Sequence, residues 1–322
     1  MSPTDSAPAA PLEIVLDTQA RPDFIAAVRR HLEQQGLQVE LDETSPIHSA
    51  GDPAAQIQQR AAIRSQLLPH FANLDVMLYL GGEPDLAATM DWDAWVDLLH
   101  FHNLPIWLAR DSYRALIVDP ATHFNPHPWS GWLGNPHLFW PTSLAEIPPL
   151  LDHLIAPIPQ EVERKFLLAN APILDAEIYP YKTFELEQVY LDSEPPQELR
   201  IRRRFSDHEP VYYLTRKTKL NTGVRLEQEH LISELEWNQH LQTMNADTYP
   251  ILKHRTNLLY NRQQIELDVY DSIPGLVIAE IEMVTLSATP NPLPPEWEIL
   301  KEVTDDPNFT NAHLSHYSPL EI

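Results

Sequence analysis

In the stretch Glu161-Val162-Glu163-Arg164-Lys165-Phe166-Leu167, charged residues occupy every second position. Side chains two residues apart on a β-strand lie on the same face. Glu161, Glu163 and Lys165 therefore share one face, and the more apolar residues Val162 and Phe166 share the other. The stretch predicts a strand with one charged face and one mostly apolar face.

The same alternation recurs along the second half of the chain. The further sets are Arg200 and Arg202, Lys217 and Lys219, Arg225 with Glu227 and Glu229, Lys253 and Arg255, Glu266 with Asp268 and Tyr270, and Glu280 with Glu282. A single strand of this kind is best interpreted as a solvated charged face over a core. Several such strands favour a sheet closed into a barrel, with the charged faces inside and the apolar faces packed against outer helices.

An interior that carries both signs of charge has a chemical use. Paired carboxylates bind hard cations such as Mg²⁺ or Mn²⁺ through oxygen. Clusters of Arg and Lys bind phosphate oxygens, Arg through two parallel hydrogen bonds and Lys as a point charge. The two sets together predict a polyanion that is bound with its metal ion.

The order of these segments closely resembles the CYTH family, the triphosphate tunnel metalloenzymes, over about 160 residues. The resemblance runs through ExExK at 161–165, the second-strand motif at 188–191, RxR at 200–202, the lysine strand at 213–217, RxExE at 225–229, KxR at 253–255, ELDxY at 266–270, ExE at 280–282, and the closing EVTxD at 302–306 with Asn311.

This resemblance implies an eight-stranded antiparallel tunnel that hydrolyses inorganic triphosphate, the favoured substrate, or an organic one such as thiamine triphosphate or a nucleoside triphosphate. An adenylate cyclase and a non-catalytic triphosphate or nucleotide sensor remain as alternatives. The implied cofactor is Mg²⁺ or Mn²⁺, and the implied metal ligands are Glu161, Glu163, Glu266, Asp268, Glu280 and Glu282. Substrate binding falls to Lys165, Arg200, Arg202, Lys217, Arg225, Lys253 and Arg255, and catalysis to Glu161, Glu163, Lys165, Glu227 and Glu229.

Two positions depart from the expected pattern. Arg203 extends the pair Arg200 and Arg202 but falls on the opposite face, where the alternation predicts a solvated surface charge. Ala312-His313 follows Asn311 where relatives often carry a lysine, so the substrate contact of the closing segment stays open.

The composition excludes several classes of protein. A formal charge of −24 argues against nucleic-acid and anionic-membrane partners, and all six lysines lie after residue 160. No run of about 18 apolar residues is present, and the N-terminus lacks the features of a signal peptide. The absence of cysteine excludes disulfides and thiolate metal sites. We therefore expect a cytoplasmic protein of α+β class.

The prolines at 157 and 159 predict a boundary between two domains. We expect a disordered lead-in at 1–11, an α/β domain at 12–155, a Pro-rich linker at 156–160 and the tunnel domain at 161–322. Alternating strand-like and helix-like segments predict a parallel sheet in the first domain, with strands at 12–16, 37–41, 76–80, 105–108 and 138–140 and helices at 22–35, 54–71, 92–102 and 144–155.

The first domain also resembles flavodoxin-like and Toll/interleukin-receptor-like domains, which implies a nucleotide sensor or a protein-interaction module. In the second domain, helical spacing at 231–244 and 295–302 predicts the outer helices.

Overall fold

The computed structural model describes residues 12–17, 20–42, 76–82, 114–125, 133, 138–156, 160–205, 210–221, 224–285 and 288–317. The chain divides into two compact units, Met1–Ile155 and Ala156–Ile322. The helices predicted at 54–71 and 92–102 and the strand predicted at 105–108 lie outside the described residues. None of the helices in the described ranges is long and apolar enough to cross a membrane.

The first unit contains five described strands in the order β2-β3-β1-β4-β5, and every described pair is parallel. The strands are β1 (Leu12–Asp17), β2 (Val39–Asp42), β3 (Val76–Gly82), β4 (Arg114–Ile117) and β5 (Leu138–Phe139). In the flavodoxin-like order the first strand lies between the second and third. Here the first strand lies between the third and fourth, so the strand order differs from that of the flavodoxin-like fold.

Helix α1 (Pro22–Gln34) begins with a proline, which lacks an N–H but stands in the first turn, where an N–H would have no partner within the helix. An acidic residue, Asp23, also lies in this first turn. Phe24, Val28 and Leu32 are buried at a spacing of four, which places them on one face of the helix. The chain leaves the helix at Gly36, whose φ of +84° favours glycine. Helix α2 (Ile147–Leu154) follows a 3₁₀ turn at Leu144–Glu146.

Strand β4 was not predicted from the sequence, and the side chain that follows it fixes two strand ends. Asp119 is buried behind β4 and accepts hydrogen bonds from the backbone N–H and the Nε of Arg21, at 2.9 and 3.0 Å. Because Arg21 leads into α1 and β4 lies beside β1, this ion pair ties the ends of adjacent strands together.

The second unit is one antiparallel sheet in the order β10-β9-β8-β7-β11-β12-β13-β6-β14. Its strands are β6 (Gln160–Leu168), β7 (Tyr181–Leu191), β8 (Gln197–Phe205), β9 (Val211–Asn221), β10 (Val224–Ile232), β11 (Ile251–Tyr260), β12 (Gln263–Tyr270), β13 (Val277–Glu282) and β14 (Ile299–Glu302). Strand β10 also pairs with β6, with Val224 opposite Val162 and Arg225 opposite Glu161.

The tightest connection joins β11 to β12 through Asn261 and Arg262. Both residues have positive φ, 49° and 64°, as a two-residue hairpin of type I′ requires. The hairpin fixes the register in which Tyr260 faces Gln263, Arg255 faces Asp268 and Lys253 faces Tyr270. A local turn therefore decides which charges meet on these strands.

The two outer helices predicted for this unit are corrected by the structure. The segment 231–244 is the end of β10, then α3 (Glu234–His240) and a 3₁₀ turn at Leu241–Thr243. Helix α3 begins where it does because Ser233 and Glu236 form a reciprocal capping box. The segment predicted as a helix at 295–302 ends in strand β14, which pairs with Phe166–Leu168 of β6.

The apolar face of the sheet carries most of the core. One cluster gathers around Trp297 and includes Leu168, Leu258 and Leu267. A second lies beneath Trp237 of α3 and includes Val189 and Ile201. The apolar side chains of the alternating strands are thus buried, as the sequence pattern predicts. A short helix, α4 (Asn311–Leu314), lies on the other face, where Leu314 packs against Tyr190, Ile251, Tyr270 and Ile278, each two residues from a polar or charged residue of that face.

Candidate active site

The opposite face of this sheet, here called the charged face, collects the predicted site residues. Strand register places Lys165 opposite Glu280, Glu280 opposite Glu266, and Arg255 opposite Asp268. On the neighbouring strands, Arg200 lies opposite Thr215 and Thr215 opposite Glu229. The described charged side chains from the predicted set are Glu163, Lys165, Arg200, Arg202, Lys217, Glu229, Lys253, Arg255, Glu266, Asp268, Glu280 and Glu282.

One part of the charged face, here called the carboxylate side, is formed by β6, β11, β12 and β13. Arg255 lies at its centre and contacts three carboxylates at once. Its Nε and Nη2 donate to Asp268 at 2.7 and 2.6 Å, its Nη2 also donates to Glu280 at 2.9 Å, and it forms an ion pair with Glu266. One guanidinium therefore holds three acids together.

Two lysines complete the carboxylate side. Lys165 Nζ lies 2.6 Å from Glu280 and 3.2 Å from Glu163. Lys253 is 1% exposed and donates to Asp268, which is fully buried. These ion pairs join four carboxylates (Glu163, Glu266, Asp268 and Glu280) to three cations (Lys165, Lys253 and Arg255), so the paired groups carry an excess of negative charge.

Burial and neighbouring charges shift the pKa values on the carboxylate side in different directions. Burial lowers the pKa of Lys253 to about 8, and Arg255 adds to the effect. Burial would raise the pKa of Glu280, but Lys165 and Arg255 outweigh it and bring that pKa well below its usual range. Burial raises the pKa of Glu266, because Arg255 does not compensate for desolvation and for the nearby Glu280 and Asp268.

The other part, here called the arginine side, is formed by β8, β9 and β10. Nη2 of Arg202 donates to both carboxylate oxygens of Glu229 at 2.8 Å, and the Thr215 hydroxyl donates to Glu229 at 2.8 Å. Arg200 and Lys217 are buried nearby. Burial opposes ionisation of Glu229, but Arg202 and Arg200 outweigh it and lower its pKa. Glu198, opposite Lys217 on β8, is a second carboxylate on this face, so the cations Arg200, Arg202 and Lys217 still outnumber the acids.

Tyr190 of β7 connects the two sides. Its hydroxyl bonds to Arg200, and Lys165 lies close enough to affect its ionisation. Burial raises the pKa of Tyr190, with a further contribution from Glu198, so the hydroxyl is neutral at physiological pH. A neutral hydroxyl, which accepts from Arg200, thus lies near a basic group of each side.

The closing segment 302–306 holds the backbone of Lys165. The Val303 N–H donates to the Lys165 carbonyl at 2.8 Å, and the Lys165 N–H donates to the Thr304 hydroxyl at 3.0 Å. Glu302 accepts from Arg164 at 2.5 and 2.8 Å on the other face of β6. Asn311 accepts a hydrogen bond of 2.7 Å from the Tyr270 hydroxyl.

Some predicted residues are described only in part. Register places Arg225 opposite Glu161 and Glu227 opposite Lys217, while the side chains of Glu161, Arg225 and Glu227 lie outside the described residues. Glu282 lies opposite Glu163 and is exposed. Within the described ranges, no three His, Asp or Glu side chains form a group that could hold a metal ion. The predicted set of metal ligands therefore stays a prediction.

Arg203 lies on the outer face, as its position predicts, but it is not a solvated surface charge. It forms an ion pair with Glu187, its partner on β7, and its guanidinium lies 5.4 Å from the ring centre of Trp237 and 4.7 Å from that of Phe205. Stacking on an aromatic ring stabilises a guanidinium that keeps part of its hydration. Arg203 therefore ties α3 to the sheet.

Sequence reasoning missed several members of the charged face. Gln188 and Asn257 are buried there, at register positions opposite Arg202 and Glu266. Lys182 and Arg204 share the face by the same alternation, and Arg204 lies over the rings of Phe184 and Tyr213. Counting every second position beyond Arg202 and Arg255 would have found Arg204 and Asn257, whereas β7 carries no predicted charged pair from which Lys182 and Gln188 could be counted.

Comparison with known proteins gives a family match to this unit. The family model that matches is that of the CYTH domain, over residues 159–297. The comparison with curated proteins gave no match.

Three solved structures are also similar to the chain. The inorganic triphosphatase NE1496 is 26% identical, with 49% of this chain and 96% of that chain covered and a TM-score of 0.35. The PH1012 protein of Pyrococcus horikoshii is 20% identical, with coverages of 39% and 80% and a TM-score of 0.30. HpAC1 of Hippeastrum, described as an adenylyl cyclase candidate with a dominant triphosphatase activity, is 17% identical, with coverages of 38% and 79% and a TM-score of 0.26. The second unit of this chain thus contains a match to the CYTH domain.

Proposed function

We propose that the second unit is a metal-dependent triphosphatase that binds its substrate on the charged face, with inorganic triphosphate as the first candidate substrate. The observation that carries the proposal is the convergence of six cations with carboxylates on one buried face. These cations are Lys165, Arg200, Arg202, Lys217, Lys253 and Arg255. The match of residues 159–297 to the CYTH domain supports it.

We further infer that the β10–β6 pairing closes the sheet around the charged face. The burial of its charges supports this inference. Lys165, Lys253, Asp268 and Glu280 are 0–6% exposed although they lie on the polar face of their strands. On an open sheet that face would meet water, and ionised groups are rarely buried without partners. A closed sheet accounts for burial on both faces.

A complex of triphosphate with a metal ion matches both parts of the face. The phosphates would replace carboxylates as partners of Arg202, Lys165 and Arg255, and the released carboxylates would take the cation. Each buried charge would then keep a partner, which matters because an uncompensated buried charge costs about 3–5 kcal/mol. A triphosphate alone would leave the carboxylates unpaired, so the site favours the metal complex.

The chemistry of the donor set fits a hard divalent ion, although no three of its acids form a ready-made group within the described ranges. Glu163, Glu266, Asp268 and Glu280 supply carboxylate oxygens, the ligands that Mg²⁺ and Mn²⁺ prefer. Burial raises the pKa of Glu266, and the nearby Glu280 and Asp268 add to the effect, so a divalent ion beside it would favour its ionised form. A bound divalent ion would supply positive charge at the phosphoryl group that is transferred. Arg200 and Arg202 would orient the chain of phosphates through planar donors, and catalysis would rest on positioning and charge stabilisation.

The test is phosphate release by the purified full chain from inorganic triphosphate, ATP and thiamine triphosphate, with Mg²⁺, Mn²⁺ or EDTA. We expect metal-dependent release from at least one of the three, and the preferred one identifies the substrate. Cyclic AMP from ATP without phosphate release would replace the proposal with an adenylate cyclase. Tight triphosphate binding without turnover would replace it with a sensor.

A further inference from the structure

Asn257 of β11 is a buried amide on the charged face with an acceptor that is not used. It lies two residues after Arg255 and is 4% exposed. Its Oδ1 accepts no hydrogen bond from any residue that the structure describes. An unsatisfied buried acceptor costs about 1–3 kcal/mol, so its retention points to a ligand that satisfies it.

The neighbours of Asn257 indicate the charge of that ligand. Asn257 lies directly opposite Glu266 of β12, and Glu266 lies directly opposite Glu280 of β13. Directly opposed residues on antiparallel strands have Cβ atoms about 4.5–5.5 Å apart. The three side chains therefore form a row of oxygen donors across three adjacent strands.

On the other side, Asn257 lies opposite Lys182 of β7. The Lys182 ammonium lies 5.4 Å from the centre of the Phe184 ring and does not donate to the Asn257 oxygen. Of the two residues directly opposite Asn257, Glu266 is the one whose side chain carries oxygen, and Glu280 follows it in the row. Because the two charged members of this row, Glu266 and Glu280, are both carboxylates, a cation is the ligand that the row attracts.

We propose that the side-chain oxygen of Asn257 is a ligand of the divalent cation, together with Glu266 and Glu280. Hard cations accept amide carbonyl oxygens beside carboxylates, and a neutral third donor adds a ligand without adding a charge that burial would disfavour. The row supplies the third donor that His, Asp and Glu side chains do not supply within the described ranges. The inference rests on the proposed function, since it concerns the metal of that same site.

The first test is Mn²⁺ affinity of the full chain without triphosphate, measured by titration calorimetry or by the EPR signal of free Mn²⁺. We expect Asn257→Leu to weaken Mn²⁺ binding about tenfold or more, since even outer partners of metal ligands contribute tenfold to a hundredfold. Gln188→Leu is the matched control. Gln188 is a buried amide on the same face whose cross-strand partners are Arg202 and Ile251, neither of them a carboxylate, so its loss should leave Mn²⁺ affinity unchanged.

The second test exchanges the donor atom. The chain has no cysteine, so Asn257→Cys introduces the only thiol. Soft sulfur favours Cd²⁺ over Mn²⁺ relative to oxygen. We expect Asn257→Cys to raise the ratio of Cd²⁺ to Mn²⁺ affinity about tenfold or more beyond the change seen for Gln188→Cys. A residue with a purely structural role would not change this preference more than the control.

The outcomes separate this inference from the proposed function. If the wild-type chain binds Mn²⁺ and releases phosphate, while Asn257→Leu binds Mn²⁺ normally and Asn257→Cys follows its control, the inference is wrong and the proposed function stands. If the wild-type chain neither binds Mn²⁺ nor releases phosphate, both are wrong. Should Asn257→Leu fail to fold, the metal preference of the cysteine variant decides the question.

Discussion

The carboxylate side and the arginine side arise from the same strand alternation but differ in their balance of charge. On the carboxylate side, Arg255 holds three acids and two lysines serve the same group. On the arginine side, Arg202 bonds to Glu229, and Arg200 and Lys217 lie close enough to help lower the pKa of Glu229. The comparison teaches that strand pairing divides one charged face into a part suited to a metal ion and a part suited to phosphate.

The largest effect should come from removing an acid on the carboxylate side. Glu280 contacts Lys165 and Arg255, so Glu280→Gln removes a cation ligand and disturbs two phosphate-binding groups. We expect kcat for the best triphosphate substrate to fall a hundredfold or more, the range of about 10²–10³ that is typical for removal of one electrostatic stabiliser. Steady-state kinetics with saturating Mg²⁺ or Mn²⁺ measures this, alongside triphosphate binding by calorimetry.

Glu187→Gln is the control for that variant. Glu187 lies on the outer face of the same sheet and pairs with Arg203, so its loss removes a half-buried carboxylate without touching the charged face. We expect its kcat to stay near that of the wild type. Equal losses in the two variants would mean that the reaction does not depend on the charged face.

The next effect should fall on affinity and come from the arginine side. Arg202→Lys keeps the charge but loses the planar pair of donors that match two phosphate oxygens. We expect the Kd for triphosphate, measured in EDTA, to rise about tenfold to a hundredfold, as the loss of about 1.5–3 kcal/mol for a hydrogen bond to a charged group implies. Arg203→Lys, one residue away on the outer face, should leave this Kd unchanged. A loss of Mn²⁺ affinity in Arg202→Lys, with triphosphate binding intact, would contradict the division into two sides.

The alternation of charges was readable from sequence because a strand has only two faces. Positions from Glu163 to Glu280 fell on the predicted face without any knowledge of the pairing. The partners of each charge were not readable, since they depend on register, and register depends on turns such as Asn261-Arg262. For the same reason the division into a carboxylate side and an arginine side emerged only from the structure.

The errors share a physical cause as well. Strand β14 was predicted as part of a helix because four residues are too short for periodicity to separate helix from strand, and its pairing comes from the free edge of β6. Arg203 was predicted as solvated because alternation gives a face but not the aromatic residues that α3 brings to it. Tertiary neighbours, which a strand pattern does not contain, decided both cases.

A smaller effect should come from the segment that positions Lys165 on the carboxylate side. Thr304→Val removes the acceptor of the Lys165 N–H, so a buried donor loses its partner at a cost of about 1–3 kcal/mol. We expect lower stability in urea and a kcat reduced several-fold. Ser233→Ala is the control, because it removes the capping box of α3 on the outer face and should cost about 1 kcal/mol of stability without changing kcat. If both variants lose only stability, Thr304 does not position Lys165 for the reaction.

The smallest effect on turnover should come from a buried acid that lies outside the charged face altogether. Asp119 of the first unit accepts from Arg21 and from the Ala121 N–H at 2.8 Å. Burial would raise its pKa, but these hydrogen bonds outweigh burial and lower it. Its pKa is thus lower in the folded chain than the value of about 3.9 in an unfolded chain. A lowered pKa stabilises the fold at pH above the unfolded value, and this stabilisation is lost as the pH falls through the folded value.

Asp119→Asn should therefore reduce the hydrogen-exchange protection of peptides covering 114–125 at pH 7, and the difference from the wild type should shrink toward pH 3. Triphosphate turnover at pH 7 should be unchanged. If Asp119→Asn lost as much turnover as Glu280→Gln, loss of stability alone would account for both variants. The effect of Glu280→Gln would then be no evidence for a catalytic role of the charged face.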